Sequence, residues 1–189
     1  HGAASRGDHR FVILSAPSGG GKGTVGKQLE DHGFARMPRV TTRPPRPGEV
    51  NGVDYVFVTQ EEFGRMEENG DFLQTAETHG EYRAASRVLF QENIAAGKKF
   101  YVEGSAAAYQ EFINHPDVKK VTSLSAFLLP PSFETLEERL RGRTDTISEE
   151  EIVDRLRKAV EHLQKTQEYH YDAYYVNDTA ERVGDSISQ

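Results

Sequence analysis

The chain has 189 residues, enough for one compact domain with a buried core and a small inserted subdomain. With 36% apolar and 28% charged residues it is not a disordered polar tail, and no apolar run approaches the roughly 18 residues that a membrane-crossing helix needs. The absence of cysteine excludes disulfide scaffolds, thiolate zinc sites and a thiolate nucleophile and fits a reducing cytoplasm, while a formal charge of −7 argues against a non-specific grip on a nucleic-acid backbone but not against a local arginine cluster around a small anion.

Residues 1–10 read as a polar leader or tag remnant, without the apolar stretch of a signal peptide. Phe11 to Leu14 is a short continuous apolar run, as in a strand buried on both faces. A glycine-rich loop follows, and then a helical pattern with Val25 and Leu29 four apart. From about Pro38 the texture changes. Arg39 to Gly48 is rich in proline and arginine, and Asp54 to Thr59 alternates like a half-buried strand. Thr59-Gln60-Glu61-Glu62 is a capping box that opens a short helix ending at Gly70. Asp71 to Ala85 reads as irregular strands around a turn at His79-Gly80.

The alternation of helix and strand then resumes. A helix runs from about Arg87 to Ala96, a strand from Lys99 to Glu103, a short helix from Ala106 to Ile113 and a strand from Val121 to Leu129. Ser132 caps a helix through about Arg141. Ser148-Glu149-Glu150-Glu151 is a second capping box, opening an amphipathic helix with Ile152, Leu156, Ala159, Val160 and Leu163 on one face. Ala173 to Val176 is a last strand, and a terminal helix starts near Thr179. This order predicts an α/β fold, a parallel sheet flanked by helices, with a small mixed insertion. The histidines show no metal-like spacing, and the tyrosines at 169, 171, 174 and 175 read as core packing rather than as a base-stacking platform.

Two segments carry chemistry. Ser18, Gly19, Gly20, Gly21, Lys22, Gly23 and Thr24 lie between the first strand and its helix. A polyphosphate needs several backbone N–H groups converging at a helix N-terminus, which the glycines permit, and Lys22 adds a charge for the β- and γ-phosphates. The usual first glycine is Ala16, and the residue after the lysine is Gly23 rather than Ser or Thr. Thr24 is therefore the nearest hydroxyl for magnesium or phosphate. The second segment is Thr41-Thr42-Arg43-Pro44-Pro45-Arg46-Pro47-Gly48-Glu49, followed by Asp54-Tyr55. Two guanidinium groups fixed by prolines can fork onto one phosphate, and a tyrosine hydroxyl can add a third donor.

With these segments the chain resembles the guanylate kinases, from about Phe11 to Asp178. The resemblance extends to Glu61 to Leu73, to the LPPS turn at Leu129 to Ser132, to ERLRGR at Glu138 to Arg143 and to VND at Val176 to Asp178. Adenylate kinases share a phosphate loop followed by Gly-Thr but lack the TTRPPRPGE block. The resemblance implies a domain over 11–189 with a monophosphate-binding subdomain at 38–86 and a lid at 143–148. It implies ATP and Mg2+ bound at Ser18 to Thr24, an acceptor phosphate held by Arg43, Arg46 and Tyr55, Arg139 and Asn177 near the ATP base, and Arg143 and Arg155 over the transferring phosphoryl group. Lys22, Arg143 and Arg155 would be the catalytic charges. The partners implied are small nucleotides, not nucleic acid or membrane. The implied assembly is a monomer or homodimer, and the location the cytoplasm.

The acceptor pocket departs from the family pattern. Guanine presents an N1–H and an amine, for which a reader needs acceptors, yet the family's glutamate is Gln74 here. Its two following aspartates become Glu103 and Ser105, its hydroxyl becomes Ala85 beside Ser86, the tyrosine after Tyr82 becomes Arg83, and the serine before the arginine pair becomes Arg39. The acceptor-binding set that the resemblance implies is thus Arg39, Arg43, Arg46, Tyr55, Gln74, Tyr82, Arg83 and Glu103. An acceptor more anionic than GMP would suit the two added arginines. Neutral drift, with those arginines paired to Glu77, Glu81 or Glu103, stays equally open. Two further readings remain, a kinase for a sugar phosphate such as a ribose bisphosphate, and a non-catalytic guanylate-kinase-like interaction module.

Overall fold

The computed structural model describes residues 10–17, 20–142, 148–165, 168–177 and 183–188. Residues 1–9 of the expected leader, Ser18, Gly19, and nearly all of the expected lid with Arg143 lie outside them. The first sheet has the order β2 (Ala35–Arg36), β7 (Phe100–Gly104), β1 (Phe11–Ser15), β8 (Ser123–Leu129) and β9 (Ala173–Val176). All its pairings are parallel, with Phe11 beside both Phe100 and Ser123. The strand β1 is buried along its whole length because it is central and covered on both faces. Phe11 and Ile13 point to one side, into a core with Phe90, Phe100, Phe112 and Phe127. Val12 and Leu14 point to the other, against Val25 and Leu29 of α1 (Lys22–Asp31) and Val183 and Ile187 of α8 (Val183–Ser188). Each such side chain contributes about 1.5–3 kcal/mol by leaving water.

Between β2 and α3 (Arg87–Ala95) the chain builds a second sheet of order β4 (Tyr55–Phe57), β3 (Arg39–Thr41), β6 (Glu81–Ser86) and β5 (Phe72–Thr78). Here β3 and β4 are parallel and the other pairs antiparallel. The β5–β6 hairpin turns at His79 and Gly80, with φ of 54° and 77°, the pair of positive values that a tight two-residue turn requires. The capping box of α2 (Gln60–Glu68) is complete. Thr59 Oγ1 accepts from the Glu62 amide at 3.1 Å and the Thr59 amide donates to Glu62 Oε2 at 2.8 Å. Phe63 of α2 packs against Val40 and Ala84 on one face of this sheet, which leaves the other face for the site.

The remaining helices are α4 (Ala106–Asn114), α5 (Pro116–Lys119), α6 (Phe133–Arg141) and α7 (Glu149–Lys165). Ser132 Oγ accepts the Thr135 amide at 3.0 Å, as its sequence predicts. The second capping box is half realised. Ser148 Oγ accepts the Glu151 amide at 3.2 Å, but the Glu151 carboxylate takes Arg155 Nη2 at 2.6 Å. The structure adds three elements that the sequence reading lacks: the two- and three-residue strands β2 and β3, and the single-turn α5.

Candidate functional site

The phosphate loop is built by close backbone approach. A Cβ on Gly20 would stand 2.6 Å from Ala16 Cβ and 2.9 Å from Pro17 O, and one on Gly21 would stand 2.0 Å from Asn177 Nδ2. Gly21 also has φ 88°, in the left-handed region. Asn177, at the end of β9, donates Nδ2 to Gly20 O at 2.8 Å, and its own carbonyl accepts Arg139 Nη2 of α6 at 2.7 Å. Both residues therefore brace the loop, whereas the resemblance put them near the ATP base. The buried Arg139 Nη1 has no partner among the described residues. Among the described residues no side chain caps α1, which suits its first amides to an anion. Lys22, the first residue of α1, lines a cavity shared with the second sheet. Thr24 stands in a separate exposed hollow with Gly23, Lys27, Gln28 and Asp31.

Opposite Lys22 lies the free face of the second sheet. A cavity of about 240 Å3 separates the two, lined by Lys22, Arg36, Met37, Glu103, Gly104 and Ser105 from the core side and by Arg39, Tyr55, Ala76, Thr78 and Arg83 from the inserted sheet. Residues two apart on a strand share a face, so Gln74, Ala76 and Thr78 of β5 belong with Arg83 and Ala85 of β6. Tyr82 belongs to the other face. Its ring lies 5.4 Å from that of Phe63, away from the cavity that the sequence reading assigned to it. Gln74 is buried, and Arg39 Nη2 donates to its Oε1. Burial, and then the charge of Arg83, pull the Arg39 guanidinium down to about 10. Glu103 lies 3.9 Å from Arg36.

Arg43 is 7% exposed. It forks onto Glu49 with two bonds of 2.9 Å, and its guanidinium carbon is 5.1 Å from the centre of the Tyr55 ring. Arg43 thereby holds the Glu49 carboxyl down at about 2. Arg46 is exposed, and its backbone amide donates to the same carboxylate at 2.9 Å. The structure thus brings Lys22, Arg39, Tyr55, Arg83 and Glu103 to one cavity. Arg43, stacked on Tyr55, and the exposed Arg46 sit on the Glu49 loop and do not line that cavity, and Gln74 is held beneath Arg39. On the lid side, Arg141 bonds Glu137 at 2.7 Å and Glu149 at 2.5 Å, lashing α6 to α7. Arg155 is held by Glu151.

Two site neighbours escaped the sequence reading. Arg36 lines the cavity from a two-residue strand, and its only signal was its place three positions before Arg39 in the arginine-rich stretch. His162 Nε2 accepts the Ala106 amide of α4 at 2.8 Å, next to Ser105 on the cavity wall. Nothing in the sequence relates those distant positions.

A family model described as guanylate kinase matches residues 8–189. A guanylate kinase of Nostoc sp. is 41% identical over 185 residues, covering 94% of this chain and 87% of that protein. One from Trichodesmium erythraeum is 40% identical, covering 91% and 90%. One from Streptococcus pyogenes is 39% identical, covering 92% and 82%. The crystal structure of guanylate kinase from Anaplasma phagocytophilum superposes with a TM-score of 0.72 at 28% identity, covering 95% of this chain and 82% of that one. With a glycine loop and an arginine-bearing sheet facing each other across one cavity, and likeness along nearly its whole length, the chain belongs to the guanylate kinase family of phosphotransferases.

Proposed function

We propose that the chain transfers the γ-phosphoryl group of ATP to the 5′-phosphate of GMP, giving ADP and GDP, in the cytoplasm where both nucleotides occur. The observation that carries this reading is the shared cavity, which sets Lys22 of the phosphate loop across from Tyr55, Arg39 and Arg83 of the inserted sheet. The match along nearly the whole chain and the retained glycine loop favour this kinase over a sugar-phosphate kinase or a non-catalytic module.

An oxygen of the acceptor phosphate attacks Pγ as the bond from Pγ to the β-bridging oxygen breaks, and ADP leaves with that oxygen. Such a transfer asks for positioning and neutralisation rather than covalent help from the protein. The loop amides and Lys22 hold the ATP phosphates. Arg43, Arg46 and Tyr55 hold the acceptor phosphate, with Glu49 keeping the Arg43 fork fixed before substrate arrives. Arg155, and Arg143 from the lid, cover the moving group and exclude water.

Magnesium fits these residues as an ion carried by phosphate oxygens and water. The described residues contain no cluster of three His, Cys, Asp or Glu, and Thr24 offers a hydroxyl in the first turn of α1. When bound, the ion offsets charge on the β- and γ-phosphates.

A coupled assay of ADP formation with ATP and GMP tests the reading. Lys22→Ala should lower kcat/KM by more than about 100-fold, because it removes a charge-assisted contact. ADP formation that needs no acceptor, or a Lys22→Ala loss under tenfold, would show the roles misassigned.

A further inference from the structure

In the second sheet, Arg39 pairs with Tyr55, Val40 with Ala84, and Gln74 with Ala85. Tyr55, Arg39, Ala85 and Gln74 therefore form one row across β4, β3, β6 and β5. Ala85 carries only a methyl group, so the Arg39 side chain can cross it to reach Gln74 Oε1. Gln74 Nε2 is spent on Thr75 O at 3.0 Å, and the residue is only 3% exposed. A glutamine has a single acceptor oxygen, and here a guanidinium covers it. Along this row the sheet thus presents donors to a ligand. Arg83 adds more from two residues along, and both arginines have a buried Nε with no partner among the described residues. Buried donors without partners call for an acceptor supplied from outside.

Purine monophosphates differ in what they offer such donors. A 6-oxopurine presents O6 and N7 side by side, the acceptor pair that a guanidinium fork matches. Guanine and hypoxanthine share that pair and differ only in the 2-amino group, which needs an acceptor to be recognised. Adenine instead presents an amine at position 6, a donor facing donors. Resting on the kinase reading above, we propose that Arg39, supported by Arg83, reads the acceptor nucleotide through O6 and N7, so that the acceptor class is the 6-oxopurine nucleoside monophosphates, IMP as well as GMP. Among the described residues Glu103 is the only carboxylate on the cavity wall, and it stands on the core side beside Arg36. The 2-amino group consequently meets no carboxylate on the Arg39 row.

The test compares kcat/KM of the unaltered protein, at saturating ATP, for GMP, IMP and 2-aminopurine riboside 5′-monophosphate, which keeps the amine and lacks O6. IMP should lie within tenfold of GMP. The 2-aminopurine nucleotide should fall by more than tenfold, about 30-fold for one acceptor lost against a charged donor. Arg39→Gln should bring GMP and the 2-aminopurine nucleotide within threefold of each other and leave the KM for ATP unchanged. The native-protein comparison holds even if that variant folds poorly. GMP ahead of IMP by more than tenfold overturns the proposal, as does equal use of the 2-aminopurine nucleotide or a GMP preference that Glu103→Gln abolishes. Phosphorylation of no purine monophosphate at all would overturn the kinase reading itself, and this one with it.

Discussion

Arg43 and Arg46 are three positions apart in one proline-rich loop, and their surroundings divide their work. Arg43 is buried between the Glu49 carboxylate, at 2.9 Å through each fork, and the Tyr55 ring. Arg46 is exposed, and it meets Glu49 through its backbone, its amide donating to the carboxylate and its carbonyl accepting the Glu49 amide. Arg46→Ala should therefore leave unfolding free energy within about 0.5 kcal/mol, as for other exposed substitutions. The same change should lower kcat/KM for GMP by more than about 100-fold by removing a charge-assisted contact made only to substrate. Arg43→Ala should lower both, since it also strips Glu49 of its charged partner. Urea unfolding and steady-state kinetics on the two variants separate the cases, and equal loss of stability in both would contradict the division. The segment from Thr41 to Glu49 announced an anion-binding loop in the sequence. It could not announce that Glu49 serves Arg43, because that pairing depends on the fold of the loop and not on residue type.

Among the elements, α7 joins the lid side to the cavity wall. Ile152 and Ala159 are buried, and Ala159 meets Leu136 and Leu140 of α6. One turn further on, His162 accepts the Ala106 amide at the start of α4 and sets its ring edge-on to Phe127, with centroids 5.8 Å apart. An acceptor nitrogen must be unprotonated. Burial first, and then the charges of Lys22 and Lys165, bring this imidazole down to about 4. An unfolded histidine titrates near 6.5, so between about 4 and 6.5 the unfolded chain binds the extra proton. The contribution of His162 to stability is thus whole above that range and is lost as the pH falls through it. His162→Gln keeps an acceptor and removes the titration. The slope of unfolding free energy against pH between 4.5 and 6.5 should be shallower in that variant than in the native protein, and coincident slopes would refute the assignment. At this scale the sequence speaks unevenly. The period of α7 and the box at Thr59 are local patterns and are legible, while β2 and β3 are too short to show a period, and the bond from His162 to Ala106 spans 56 positions.

For the whole molecule, the alternation of strand and helix is written in the sequence, but the order that puts β1 between β7 and β8, and the register that sets Arg39 beside Tyr55, are set by non-local packing. Charge follows the same rule. The net value of −7 describes only the sum; exposed helical pairs such as Arg157 with Glu161 and Lys158 with Asp154 cancel within themselves, each worth about 0–1 kcal/mol. Folding gathers the opposite sign at one place, where Lys22, Arg36, Arg39 and Arg83 share the cavity with Glu103 alone among the described carboxylates. A doubly charged phosphate approaching an acidic protein is therefore drawn in by a local field, and salt weakens such a field over distance. Raising ionic strength from about 0.1 to about 1 M shortens the screening length from about 10 Å to about 3 Å. The KM for GMP, measured at saturating ATP, should then rise at least about threefold, because its phosphate loses the longer-range attraction. Guanosine carries no phosphate, so its inhibition constant against GMP should change by less than half that factor. A KM for GMP that stays level across this range would mean that the gathered arginines act only at contact distance, and equal salt sensitivity of guanosine would assign the effect to the protein rather than to the charge on the acceptor.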